Sequence, residues 1–150
     1  MKKKDKMKEK WGKKKVFILE ADPYKQQTVV VLNGQFSDAI KLYKKLDTPS
    51  SRLNIKEIEE SQKKNKEDYA DDYVHNNGSA VTFTKLPKGY VMLLSHQDNW
   101  IDTVELVAHE CLHLTHYILK NAGLMLSSDS EEAFTYLQGN LIKDVLREMY

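Results

Sequence analysis

Apolar residues along this chain come in short, bounded runs near the N-terminus and in long helical periodicities near the C-terminus. VFILE (16–20) and TVVVL (28–32) read as two strands around ADPYKQQ, a hairpin with a loose loop. Asn33-Gly34 then breaks the chain. Ser37 suits the N-cap of a helix DAIKLYKKL, whose apolar side is Ala39, Ile40, Leu42, Tyr43 and Leu46. Thr48-Pro49-Ser50-Ser51 is a connector. Residues 54–73 are strongly charged, with Ile55, Ile58 and Tyr69 as sparse anchors, and read as an exposed helix. AVTFT (80–84) and YVMLL (90–94) are strand-like, joined across Pro87 and Gly89.

The strongest periodicity spans 101–120. At 100° per residue, Val104, Val107, Ala108, Cys111, Thr115 and Ile118 fall on one stripe, the expected core face. Leu106 and Leu114 flank the other side, so the helix is apolar nearly all round and is expected to be buried on both sides. Asn121-Ala122-Gly123 should stop it, with Gly123 as a left-handed cap. A last helix begins near Ser130, with Phe134, Leu137, Leu141, Val145 and Met149 as its core stripe. The expected fold class is α+β: a small, mainly antiparallel sheet packed on two central helices.

Composition narrows this picture only in places. A chain of 150 residues, 41% hydrophobic, suits one compact domain. No apolar run approaches the ~18 residues of a membrane span. Val16 to Leu19 is too short for a signal-peptide core, and the single Cys111 excludes an internal disulfide, so a cytoplasmic setting is expected. The whole-chain charge of +1 is uneven. Residues 1–15 hold nine Lys against Asp5 and Glu9, a balance of +7 that leaves −6 for the remainder. This stretch reads as a basic, solvated tail ahead of a single domain over 16–150. Trp11 is the only aromatic residue interleaved in it, which argues against a nucleic-acid surface.

Candidate chemistry lies inside the long helix. Three of the five histidines fall within eight positions, at His109, His113 and His116, clustered within about 60° of each other. His109-Glu110-Cys111-Leu112-His113 is the pattern H-E-x-x-H. Residues i and i+4 sit one turn apart, so two imidazoles can reach one zinc ion. Glu110 projects to the side, placed to meet a zinc-bound water. A zinc hydrolase needs a third protein ligand and an open fourth position. The next helix opens with Glu131 and Glu132. Periodicity sets Glu131 nearer the core stripe, while spacing and the small Ala133 favour Glu132. An acidic helix start that complements the dipole accounts for either residue without a metal.

With eighteen residues between His113 and Glu132, this arrangement resembles the gluzincin metallopeptidases, and within them the zinc aminopeptidase branch. Glu132-Ala133-Phe134-Thr135 is similar to the family pattern of Glu, small, apolar, small. The resemblance covers roughly residues 80–150, and the whole chain looks like very small, often phage-encoded, metallopeptidase-like proteins. It implies a minimal zincin-like core, with Zn²⁺ held by His109, His113 and Glu132 and with Glu110 as general base. It implies hydrolysis of a peptide or protein substrate, with YVMLL beside the cleft offering backbone groups to an extended peptide. Gluzincins commonly carry an Asp four residues after the Glu ligand; this chain has Tyr136. The metzincin pattern is excluded, because His116 stands in its Gly slot and Leu119 in its third His slot.

Other polar residues have plainer roles. His116 is expected to be outside the ligand set. Cys111 faces the core and reads as a packing residue. Asp102 shares a face with His109 but suits a helix-start acid. His96, Tyr90, Tyr136 and Tyr150 are equivalent candidates to stabilise an oxyanion. Two other functions stand beside peptide hydrolysis: a non-catalytic zinc-binding regulatory protein, and a regulatory protease that cleaves a repressor.

Overall fold

The computed structural model describes residues 13–46, 60, 80–86 and 89–150. The Lys-rich stretch up to Gly12 and nearly all of the helix expected over 54–73 lie outside these described residues. The elements are β1 (Lys15–Ala21), β2 (Gln26–Leu32), α1 (Phe36–Leu46), β3 (Ala80–Leu86), β4 (Gly89–Leu94), α2 (Trp100–Asn121) and α3 (Glu131–Met149).

The strands form one mixed sheet in the order β1-β2-β4-β3. β1 pairs antiparallel with β2, placing Phe17 opposite Val30. β3 pairs antiparallel with β4, and β2 runs parallel to β4 with Val30 beside Met92. Two of the three pairings are therefore antiparallel. YVMLL is flanked by strands on both sides, so its backbone groups are used within the sheet. It is not the strand that opens onto a cleft; β1 and β3 are the edges.

Successive side chains of a strand point to opposite faces, and here both faces are covered. Val30, Leu32, Tyr90, Met92 and Leu94 pack on one side against Leu114, Ile118, Leu141 and Val145 of α2 and α3. Val29, Val31, Val91 and Leu93 pack on the other against Phe36, Ala39 and Ile40 of α1. The unbroken apolar runs TVVVL and YVMLL follow from this, since a strand buried on both faces has no polar side.

Ser37 does not cap α1. The helix begins one residue earlier, and the Asp38 Oδ2 atom accepts the Gln35 N–H at 2.9 Å. Gly34 makes this entry possible, because a Cβ there would lie 2.7 Å from Val31 and 2.8 Å from Asp38. Lys14 Nζ donates to Asp38 Oδ1 at 3.0 Å, and Lys15 pairs with Glu148 at 2.6 Å. Those two lysines thus belong to the folded body, not to a tail. Burial pushes the Asp38 carboxyl up, but the Gln35 N–H and the Lys14 and Lys41 charges outweigh it and hold the group below its usual range. A depressed folded pKa contributes stability above the unfolded value of 3.8 and loses it as pH falls through the lower folded value. Asp38→Asn keeps an oxygen for the Gln35 N–H but removes the charge that pairs with Lys14 and Lys41, and should cost up to about 1 kcal/mol near neutrality, the scale of a partly exposed ion pair. In denaturant melts the gap to wild type should close below pH 4; a gap constant down to pH 2 would refute the charge contribution.

The long helix ends as its sequence anticipates. Gly123 has φ +82°, with Leu124 N–H donating to Leu119 C=O at 2.8 Å and Gly123 N–H to Lys120 C=O at 3.0 Å. This is the double hydrogen-bond closure of a glycine C-cap. Its burial differs from expectation. Thr103, Val107, Glu110, Cys111, Leu114, Thr115, Ile118 and Leu119 are buried, while Val104 and Ala108 are half-covered and Ile101, His109, Leu112 and His113 are exposed. The helix is covered on one broad face by the sheet and α3, not on both sides. Among the described residues no helix is long and apolar enough to cross a membrane.

Candidate metal centre

The register of α2 is set at its start. Asn99 Oδ1 accepts the Asp102 N–H at 2.9 Å, and Asn99 Nδ2 donates to Asp102 Oδ2 at 2.6 Å. Asp102 is thereby engaged as a helix-start acid. Two and three turns later His109 and His113 emerge together on the solvent side. Their Nε2 atoms lie 3.1 Å apart, with ring centroids at 4.8 Å and planes at 73°. Two nitrogens each 2.0–2.1 Å from one tetrahedral zinc are about 3.3–3.4 Å apart. The pair is within a few tenths of an ångström of that spacing, so these two donors fit a shared ion.

Glu110 lies a quarter-turn round, 5% exposed, on the covered side of the helix. Its neighbour Cys111 is fully buried. Burial, with a smaller contribution from the Glu110 charge, pushes the Cys111 thiol up to about 12. The thiol stays protonated at neutral pH and is suited neither to attack nor to metal binding. His116 is half-buried, with its ring 6.3 Å from Tyr117 and 6.1 Å from Phe134. It thus packs against α3 through Phe134.

The glutamates are the open part of the site. Glu131 and Glu132 are both exposed in the first turn of α3. The buried stripe of α3 runs through Phe134, Leu137, Leu141, Val145 and Met149, and Glu132 is set about 160° from Phe134 around the axis. Glu131 stands seven residues before Gln138, hence on nearly the same line. Gln138 Nε2 reaches Ala108 C=O on α2 at 3.4 Å. Glu131 thus shares the flank of α3 that meets α2. Among the described residues, no three His, Cys, Asp or Glu side chains gather closely enough to hold a metal ion.

Comparison with family models, curated proteins and solved structures finds no match. The chain's own geometry therefore carries the functional reading.

The four oxyanion candidates separate in space. Tyr136 is 69% exposed on α3. Tyr150 packs edge-on against Trp100 at 4.7 Å, where the end of α3 meets the start of α2. That position is about 13 Å from His109 along the helix axis. His96 is tied to Asn33, whose Oδ1 accepts its N–H at 2.9 Å. Tyr90 is buried, and burial raises its phenol despite the hydrogen bond from Asn121. Tyr117 is a residue that the helical projection passed over. Its ring is stacked on His113, with centroids 6.4 Å apart and planes at 19°. An aromatic residue four positions after His113 on the same helix was the available signal.

Proposed function

We propose that this chain is a zinc-dependent peptidase of gluzincin-like chemistry. His109 and His113 hold the metal, a glutamate of the α3 first turn completes the ligand set, and Glu110 is the general base. The observation that carries this reading is the meeting of the two imidazole Nε2 atoms at 3.1 Å, on the H-E-x-x-H helix. Bound there, zinc would polarise a peptide carbonyl and acidify the attacking water. Glu110 takes the proton from that water and passes it to the leaving amine. Its burial keeps the carboxylate away from competing bulk water. β3 is the sheet edge that packs against α2, and an extended peptide would add to that edge by backbone hydrogen bonds.

A second reading, a non-catalytic zinc-binding regulatory protein, is favoured by one specific observation. Only two potential ligands meet among the described residues, and Tyr136 stands where the resemblance expects an orienting Asp.

Metal analysis of the purified full chain should give about one zinc equivalent. His109→Ala and His113→Ala should each lose most of it. Glu132→Ala should lose it too, as the family spacing implies, while Glu131→Ala keeps it. The reverse outcome would assign the third ligand to Glu131, the residue on the α2-facing flank. Zinc retained in both histidine variants would remove the site altogether.

A further inference from the structure

We propose that Tyr117 is the positioning residue for the His113 imidazole, replacing the hydrogen-bonded carboxylate that usually orients a metal-binding histidine. The inference rests on the zinc reading above. A ligating histidine is ordinarily fixed by a partner on its second ring nitrogen. Among the described residues, His109 and His113 hydrogen-bond to each other. What restrains His113 is a stack. Its ring lies nearly parallel to Tyr117, at 6.4 Å and 19°. Tyr117 lies nearly parallel to Tyr90 of β4, at 6.4 Å and 14°.

The far end of this stack is anchored. Tyr90 is 2% exposed, and its hydroxyl accepts a hydrogen bond from Asn121 Nδ2 at 2.6 Å. Both centroid separations fall in the range of offset-stacked pairs. A solvent-exposed imidazole is thus connected through two rings to the sheet core. Stacking holds the plane of the His113 ring, and so the direction of Nε2 toward His109, without constraining which nitrogen carries the proton. Rotation of His113 away from the stack would separate the two donors and leave one histidine to bind alone.

The test uses the full chain in three forms: wild type, Tyr117→Phe and Tyr117→Leu. Leu keeps an apolar side chain where Tyr117 packs on the core; Phe keeps the ring and removes the hydroxyl. Cobalt(II) titration reads affinity and, through its visible d–d bands, coordination geometry. In the metal-free protein, NMR reads the ring-current shift of the His113 ring protons. Tyr117→Leu should bind cobalt about 10- to 100-fold more weakly, the usual effect of losing an orienting partner, with altered bands and a lost ring-current shift. Tyr117→Phe should behave as wild type in all three readouts, which a requirement for the hydroxyl would not allow. Wild-type affinity and bands in Tyr117→Leu would overturn the proposal alone. Failure of the wild type to bind cobalt would overturn the zinc reading and the proposal with it.

Discussion

Glu110→Gln should leave zinc bound and lower peptide turnover by ~10²–10⁴-fold, the contribution of a general base. Gln keeps the shape of the side chain and removes its basicity. At 100° from His109 around the helix, position 110 is off the line joining the two histidines, so metal content should match wild type. Gln fills the same volume at this buried position and retains a side-chain oxygen acceptor, so the melting temperature should not fall sharply. An active wild type with an equally active Glu110→Gln would end the proposed mechanism while leaving the metal site standing. A wild type that binds zinc and cleaves no peptide in a broad library would select the non-catalytic reading.

The second large effect is on stability, and it separates two neighbouring leucines of the same motif region. Leu114 has no exposed surface and lies between the sheet and α3. Leu114→Ala should cost roughly 2–5 kcal/mol, combining lost burial with a cavity that the surrounding strands cannot collapse into. For a chain of this size that is a melting-temperature fall of roughly 5–15 °C. Leu112 is 49% exposed, and Leu112→Ala should stay within about 0.5 kcal/mol of wild type. Thermal melts of both variants decide the matter. Equal losses would mean that α2 is covered on its histidine side as well, as the apolar periodicity alone implied.

Much of the architecture was readable from local pattern. The four strands, the two C-terminal helices and the Gly123 cap follow from short-range rules: β-branched runs, a 3.6-residue period, and a glycine where φ must be positive. The H-E-x-x-H spacing likewise brings His109 and His113 within reach of each other, because i and i+4 are neighbours on any helix. Local rules were weaker where two residues compete for one role. Ser37 and Asp38 both suit a helix start. The nearby Lys14 and the close approach at Gly34 favour the Asp38 cap, and those are tertiary contacts.

Tertiary structure alone decided which side of α2 is wet and which strand is an edge. TVVVL and YVMLL are apolar throughout, so nothing in them says that they lie side by side, in parallel, in the middle of the sheet; that pairing joins residues about 60 apart in the chain. An apolar helix has no intrinsic outside either. Glu110 is buried and Leu112 exposed because of where the sheet and α3 lie, although hydropathy assigns them the opposite way. The same holds for the stack from Tyr90 through Tyr117 to His113, which exists only because β4 passes beneath α2. Spacing along a helix determines which side chains can meet. Which of them then face solvent, core or one another depends on long-range packing, and no window of local sequence contains it.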